Sequence, residues 1–174
     1  LMIQRDIVIG EALWERVVLQ NYHTQPLDCV LKFKFQSDFA DMFEVRGLNL
    51  PERGQRMVPC VGKNGRSLFM GYRGLDNLLL ETIVEFFGIT PDSIDGPEGE
   101  VVLRIVLPPR QHREFQTCIS TRLSGKTATP VRKTGFVEAR KTADNAYRDW
   151  CNSSTRIKTT HEVFDLALDR SIRD

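Results

Sequence analysis

Alternation of apolar and polar positions dominates the chain from Met2 to about Leu123. Leu31, Phe33 and Phe35 alternate with Lys32 and Lys34. One face of that segment is therefore apolar and the other solvated, as a half-buried antiparallel strand requires. The preceding segment sets Leu13, Val17 and Leu19 against Trp14, Arg16 and Val18, and predicts a second strand. Between them N-Y-H-T-Q-P supplies turn residues and a proline. Further runs at 55–61, 66–72, 78–87, 100–107 and 113–123 are strand-like, the last with Phe115, Thr117 and Ile119 opposite Glu114, Gln116 and Cys118. Arg53-Gly54, the Gly62-Lys63-Asn64-Gly65 tetrad and the 88–99 segment punctuate them. Asn-Gly between apolar runs predicts a hairpin with the positive φ values of a primed turn. So many strands with such punctuation predict a mainly β fold, an antiparallel β-sandwich over residues 1–125.

The period then changes. Segment 124–135 is poor in large apolar residues and carries Lys126, Arg132 and Lys133, so it reads as an exposed linker. Phe136, Ala139, Ala143, Ala146, Tyr147 and Trp150 follow at spacings of three and four, the stripe of an amphipathic helix. Thr159-Thr160-His161-Glu162 has the form of a capping box opening a second helix, with Val163, Phe164, Leu166, Ala167 and Leu168 as its apolar face. That face continues to Ile172, and the reading is of residues 126–174 as linker and helices awaiting a further domain to pack against.

Composition narrows the function classes. Charged residues make up 27% and the net charge is +1, so nothing argues for a nucleic-acid or membrane partner. No apolar run approaches membrane-spanning length. Cys29, Cys60, Cys118 and Cys151 form no C-x-x-C pair and are expected as buried free thiols, which implies a reducing, cytoplasmic setting. His23, His112 and His161 are too dispersed for ligand spacing, and no cofactor or metal is expected. Gly71-Tyr72-Arg73-Gly74-Leu75-Asp76 lacks the G-x-G-x-x-G spacing of a phosphate loop. Lys126, Arg132, Lys133, Arg140 and Lys141 are interrupted by acids and read as a solvated face.

The chemically densest stretch is S-D-F-A-D-M-F-E-V-R-G at 37–47. Asp38, Asp41 and Glu44 recur at every third position among Phe39, Met42 and Phe43, which would have to be buried, with Arg46 as the nearest counter-charge. Two of these carboxylates could act as the acid and base of glycoside hydrolysis. They could instead hold a hard cation, although D-x-x-D-x-x-E lacks the donor alternation and glycine of a calcium loop. The third reading is a brace, with Glu44 paired to Arg46 or to loop amides and Phe39 and Phe43 anchoring the corner, and residue types favour it. Trp14, Tyr22, Tyr72 and Trp150 are the candidates for stacking on a sugar ring, and such aromatics are more often core residues.

Three phrases in order, D-F-A-D-M-F-E-V-R-G (38–47), R-G-Q-R (53–56) and Y-R-G-L-D (72–76), resemble the N-terminal domain of bacterial and archaeal glycogen debranching enzymes of the amylo-alpha-1,6-glucosidase type. The resemblance covers nearly the whole chain. It implies a supersandwich-like β domain preceding an (α/α)6 toroid that holds the catalytic carboxylates, so no catalytic residue is assigned within this chain. Asp38, Asp41, Glu44, Arg46, Tyr72 and Asp76 are then expected to shape the domain or its contact surface. The expected partner is the downstream catalytic domain, with α-glucan a second possible one. An autonomous carbohydrate-binding domain is the alternative of a different class.

Overall fold

A computed structural model describes residues 1–48, 52–124, 135–153, 155 and 157–173. Among these residues ten strands form two antiparallel sheets. The strands are β1 (Met2–Ile9), β2 (Leu13–Gln20), β3 (Leu27–Lys34), β4 (Gln55–Arg56), β5 (Cys60–Val61), β6 (Ser67–Arg73), β7 (Leu79–Phe87), β8 (Ser93–Asp95), β9 (Glu100–Leu107) and β10 (His112–Leu123). A seven-stranded sheet runs β1-β2-β10-β7-β6-β4, with β5 also paired to β6, and the smaller sheet runs β3-β9-β8. The helices described are α1 (Met42–Val45), α2 (Phe136–Ser153) and α3 (Glu162–Arg173). No helix among the described residues is long and apolar enough to cross a membrane.

The antiparallel sandwich expected from the alternation is present. Val17, Leu19, Leu68, Met70, Val84, Phe86 and Phe115 from the large sheet meet Val101, Leu103, Ile105 and Leu107 from β9 in one buried cluster. The inward residues of β3, Leu27, Cys29, Leu31 and Phe33, pack against it while Lys32 and Lys34 face outward. Phe33 meets Phe86 and Phe115 edge-on at 6.1 and 6.2 Å. Burial of these side chains is the main driving force for stacking the sheets.

The large sheet also has a partly covered outer face. Ala12, Trp14, Cys118 and Phe136 form a second buried cluster, with Val8, Phe87 and Ala139 around it. Trp14, opposite in strand parity to the inward Val17 and Leu19, is nevertheless only 3% exposed, because the start of α2 covers it. The Phe136 amide donates to the Gln116 side chain of β10 at 3.0 Å, which satisfies one of the helix's open donors from the sheet itself. Arg16 bonds Asp6 at 2.6 Å and lies over the Phe136 ring at 5.2 Å. The Arg16 hydrogen bond, then that of Gln4, holds the Asp6 carboxyl below its ordinary pKa.

Several expectations are corrected. The 55–61 run is two short strands separated by residues 57–59, and the 88–99 segment contains β8. At the β5–β6 hairpin Asn64 is not in the positive-φ region, while Gly65 takes φ 64°. The Gly65 amide donates to the Gly62 carbonyl at 2.9 Å and the Asn64 carboxamide oxygen accepts from the Arg66 amide at 3.0 Å, so a turn that puts only its glycine in the left-handed region replaces the primed turn. None of the four cysteines is in a disulfide, but only Cys118 is buried, and Cys60 is exposed. The linker expected at 124–135 falls almost wholly outside the described residues.

The helices differ from expectation as well. Only the first half of the α2 stripe docks, since Tyr147 and Trp150 remain 44% and 48% exposed. At α3 it is Asp165 rather than Glu162 that closes the start, accepting from both the Thr159 amide and its hydroxyl at 2.8 Å. Val163, Phe164 and Leu166 of α3 lie exposed.

Candidate functional site

The acidic stretch forms a corner where the chain leaves β3 and crosses the end of the sandwich. Phe35 is still held to the smaller sheet's rim, its amide donating to the Gly99 carbonyl at 2.9 Å. Ser37 reaches Thr82 of β7 at 3.4 Å. The chain then turns sharply at Phe39, whose φ of 50° is uncommon for a bulky residue. The Asp38 carboxylate accepts from the Ala40 amide at 3.1 Å, closing the turn.

Asp41 and Glu44 then build α1. Asp41 accepts from the Phe43 and Glu44 amides at 2.7 and 2.8 Å, and the Glu44 carboxylate accepts from the Asp41 amide at 3.0 Å. This is a reciprocal capping box, which satisfies amides that a four-residue helix would otherwise leave open. The other Glu44 oxygen pairs with Arg53 Nε at 2.9 Å. Arg53 also donates to the Asp38 carbonyl at 2.8 Å, and Arg56 donates to the same oxygen at 3.1 Å. Two guanidinium groups thus hold one carbonyl at the strained turn.

Tyr72 supports the corner from β6. Its ring stacks on Phe39 at 5.3 Å with 13° between planes, and its hydroxyl accepts from the Gly54 amide at 2.7 Å. Gly54 has no room for a side chain, since a Cβ there would lie 2.0 Å from the Arg73 carbonyl oxygen. β4 and β6 therefore approach closely, and that approach places Arg53 and Arg56 under Asp38.

Asp38, Asp41, Glu44 and Tyr72 are brought together in this way. Asp76 is elsewhere, in the turn between β6 and β7, where it accepts from the Leu78 amide at 3.1 Å. Arg46 closes α1 through its backbone, the amide donating to the Met42 and Phe43 carbonyls at 3.3 and 3.1 Å. Glu44 meets Arg53 rather than Arg46, because residues two apart on a helix point to different sides. Phe39 does pack on the core, but Phe43 and Met42 do not, being 52% and 58% exposed. A helix of one turn, held from below through Glu44, turns those side chains outward. The clamping roles of Arg53 and Arg56 were not legible, because only the fold brings β4 beneath residue 38.

Chemically, both oxygens of Glu44 and the amide-facing oxygen of Asp41 are engaged in the corner's own bonds. Among the described residues no group of three or more His, Cys, Asp or Glu side chains converges as a metal site would. Beside the corner, between segments 35–39, 56–59 and 97–99, opens a pocket of about 360 Å³.

Residues 1–118 match the sequence model of a family described as the N-terminal domain of (some) glycogen debranching enzymes. Among solved structures, one described as "Putative kojibiose phosphorylase from human microbiome" is similar over 87% of this chain, at 14% identity and a TM-score of 0.48. The chain spans 19% of that protein's length. No curated protein matches.

Proposed function

Because the chain belongs to the family of N-terminal domains found in some glycogen debranching enzymes, we propose that it is a non-catalytic β-sandwich module of a cytoplasmic glycoside hydrolase acting on α-1,6-linked glucans. In this reading residues 1–125 form the sandwich and 126–174 the linker and helices. The module packs against, and supports, an (α/α)6 glucosidase domain in the same polypeptide, and bond cleavage belongs to that domain.

The supporting observation is what the corner does with its charges. The bonds of Asp41, Glu44 and Arg53 fix a one-turn helix that holds Met42, Phe43 and Val45 toward solvent, at 52–75% exposure. Rigid, outward apolar side chains suit a protein surface, since ordering them beforehand lowers the cost of docking. Val163, Phe164 and Leu166 of α3 add a second such strip.

Changing Val163, Phe164 and Leu166 together to serine in the parent enzyme is expected to undock the module. Limited proteolysis then cuts the junction faster than in the wild type, while the sandwich keeps its own melting temperature. Equal cleavage of both proteins contradicts the docking role.

A further inference from the structure

The pocket beside the corner has a chemistry that the bracing bonds do not use. Its wall is apolar where Phe39, Met57 and Met70 line it and polar where Asp38, Arg56 and Glu98 do. Arg56 spends one guanidinium bond on the Asp38 carbonyl, which leaves its remaining donors. Asp38 uses one carboxylate oxygen on the Ala40 amide. The Glu98 carboxylate makes a long contact with Lys34, at 3.7 Å. Donors and acceptors therefore stand side by side over an apolar floor, and Met70 of that floor is only 5% exposed.

Charge decides which ligand class fits. The lining holds two carboxylates and one guanidinium, and even with Lys34 beside Glu98 there is no excess of positive charge to draw in phosphates and other anions. A hard cation needs several converging oxygens, and no such group of carboxylates is present among the described residues. A neutral polyol ring satisfies the set: hydroxyls accept from Arg56 and donate to Asp38 and Glu98, while the C–H face rests on Phe39 and the methionines. The volume, about 360 Å³, lies in the range of small-ligand pockets, roughly 300–1,000 Å³.

We infer that this pocket is a glucan subsite that holds one glucosyl ring of the polymer without cleaving it. That the ring is a glucosyl unit rests on the family reading above; that a neutral polyol fits rests on the pocket alone. The subsite would keep a chain end close to the module while another part of the enzyme acts on it.

Titration of the 174-residue chain with maltotriose, followed by NMR, tests this. Saturable shifts are expected at residues 56–57 and 97–99. Arg56→Ala is expected to weaken binding about tenfold or more, the worth of a hydrogen bond to a charged group. Asp38→Asn, which keeps the oxygen facing Ala40, is expected to weaken it too, with the wild-type circular dichroism spectrum retained. Trp150→Ala is expected to leave binding unchanged, and inorganic phosphate is expected not to bind. Absence of saturable shifts, binding indifferent to Arg56→Ala and Asp38→Asn, or loss with Trp150→Ala would each overturn the subsite. Any of these leaves the docking reading intact, because that is judged by proteolysis of the parent.

Discussion

Gly54→Ala is expected to destabilise the domain by about 1–3 kcal/mol, the usual cost of forcing atoms into a packed site. The reason is local. A methyl group at position 54 would sit 2.0 Å from the Arg73 carbonyl oxygen and 2.9 Å from the Gly74 Cα, both backbone atoms that cannot rotate away. β4 must then separate from β6, and two things leave with it. The amide that donates to the Tyr72 hydroxyl moves, and so does the stretch carrying Arg53 and Arg56 to the Asp38 carbonyl. Phe39, held at positive φ over the Tyr72 ring, loses the contacts that offset its strain. Urea denaturation measures the loss. A midpoint equal to the wild type's would show that the close approach of β4 and β6 is not what builds the corner.

Phe115→Ala is expected to cost more, about 3–5 kcal/mol. Phe115 is 1% exposed at the centre of the large sheet and meets Phe33 of the opposite sheet edge-on, at 87° between planes. Its removal opens a cavity between the sheets that the rigid strands on either side cannot close, and it also removes an aromatic pair. Ile9→Ala serves as the contrast. Ile9 lies at the end of an edge strand with 72% exposure, and its change is expected within about 0.5 kcal/mol of neutral. Comparable losses in the two variants would contradict a core placed between the sheets.

Much of the sandwich was legible because its strands obey one rule. In β3 every second residue is turned inward, and β9 begins and ends where the apolar run does. The alternation fails where a strand has neighbours on both faces. Trp14 is buried, as such aromatics usually are, but on the face opposite Val17 and Leu19: α2 lies over it, and no local pattern announces a helix that arrives some 120 residues later. β8 was hidden for a different reason: three residues within a proline- and glycine-rich segment carry too little pattern to declare a strand.

At the corner the sequence showed the ingredients and not the connections. The spacing of Asp41 and Glu44 is that of a capping box, and the reading of carboxylates bonded to loop amides was available from it. The partner of Glu44 was not, because Arg53 comes beside it only where the chain pairs with β6. Met42 and Phe43 were expected inside on hydrophobicity alone. Such residues are also common on the surface of folded proteins, so hydrophobicity by itself does not place them.

In the function proposed above, the carboxylates of this corner hold the chain in shape and bond cleavage belongs to another domain. Assaying residues 1–174 for glucose release from limit dextrin, as wild type and as Asp41→Asn, tests it most directly. The account predicts no release above the buffer blank from either protein. Release by the wild type that Asp41→Asn abolishes would contradict it.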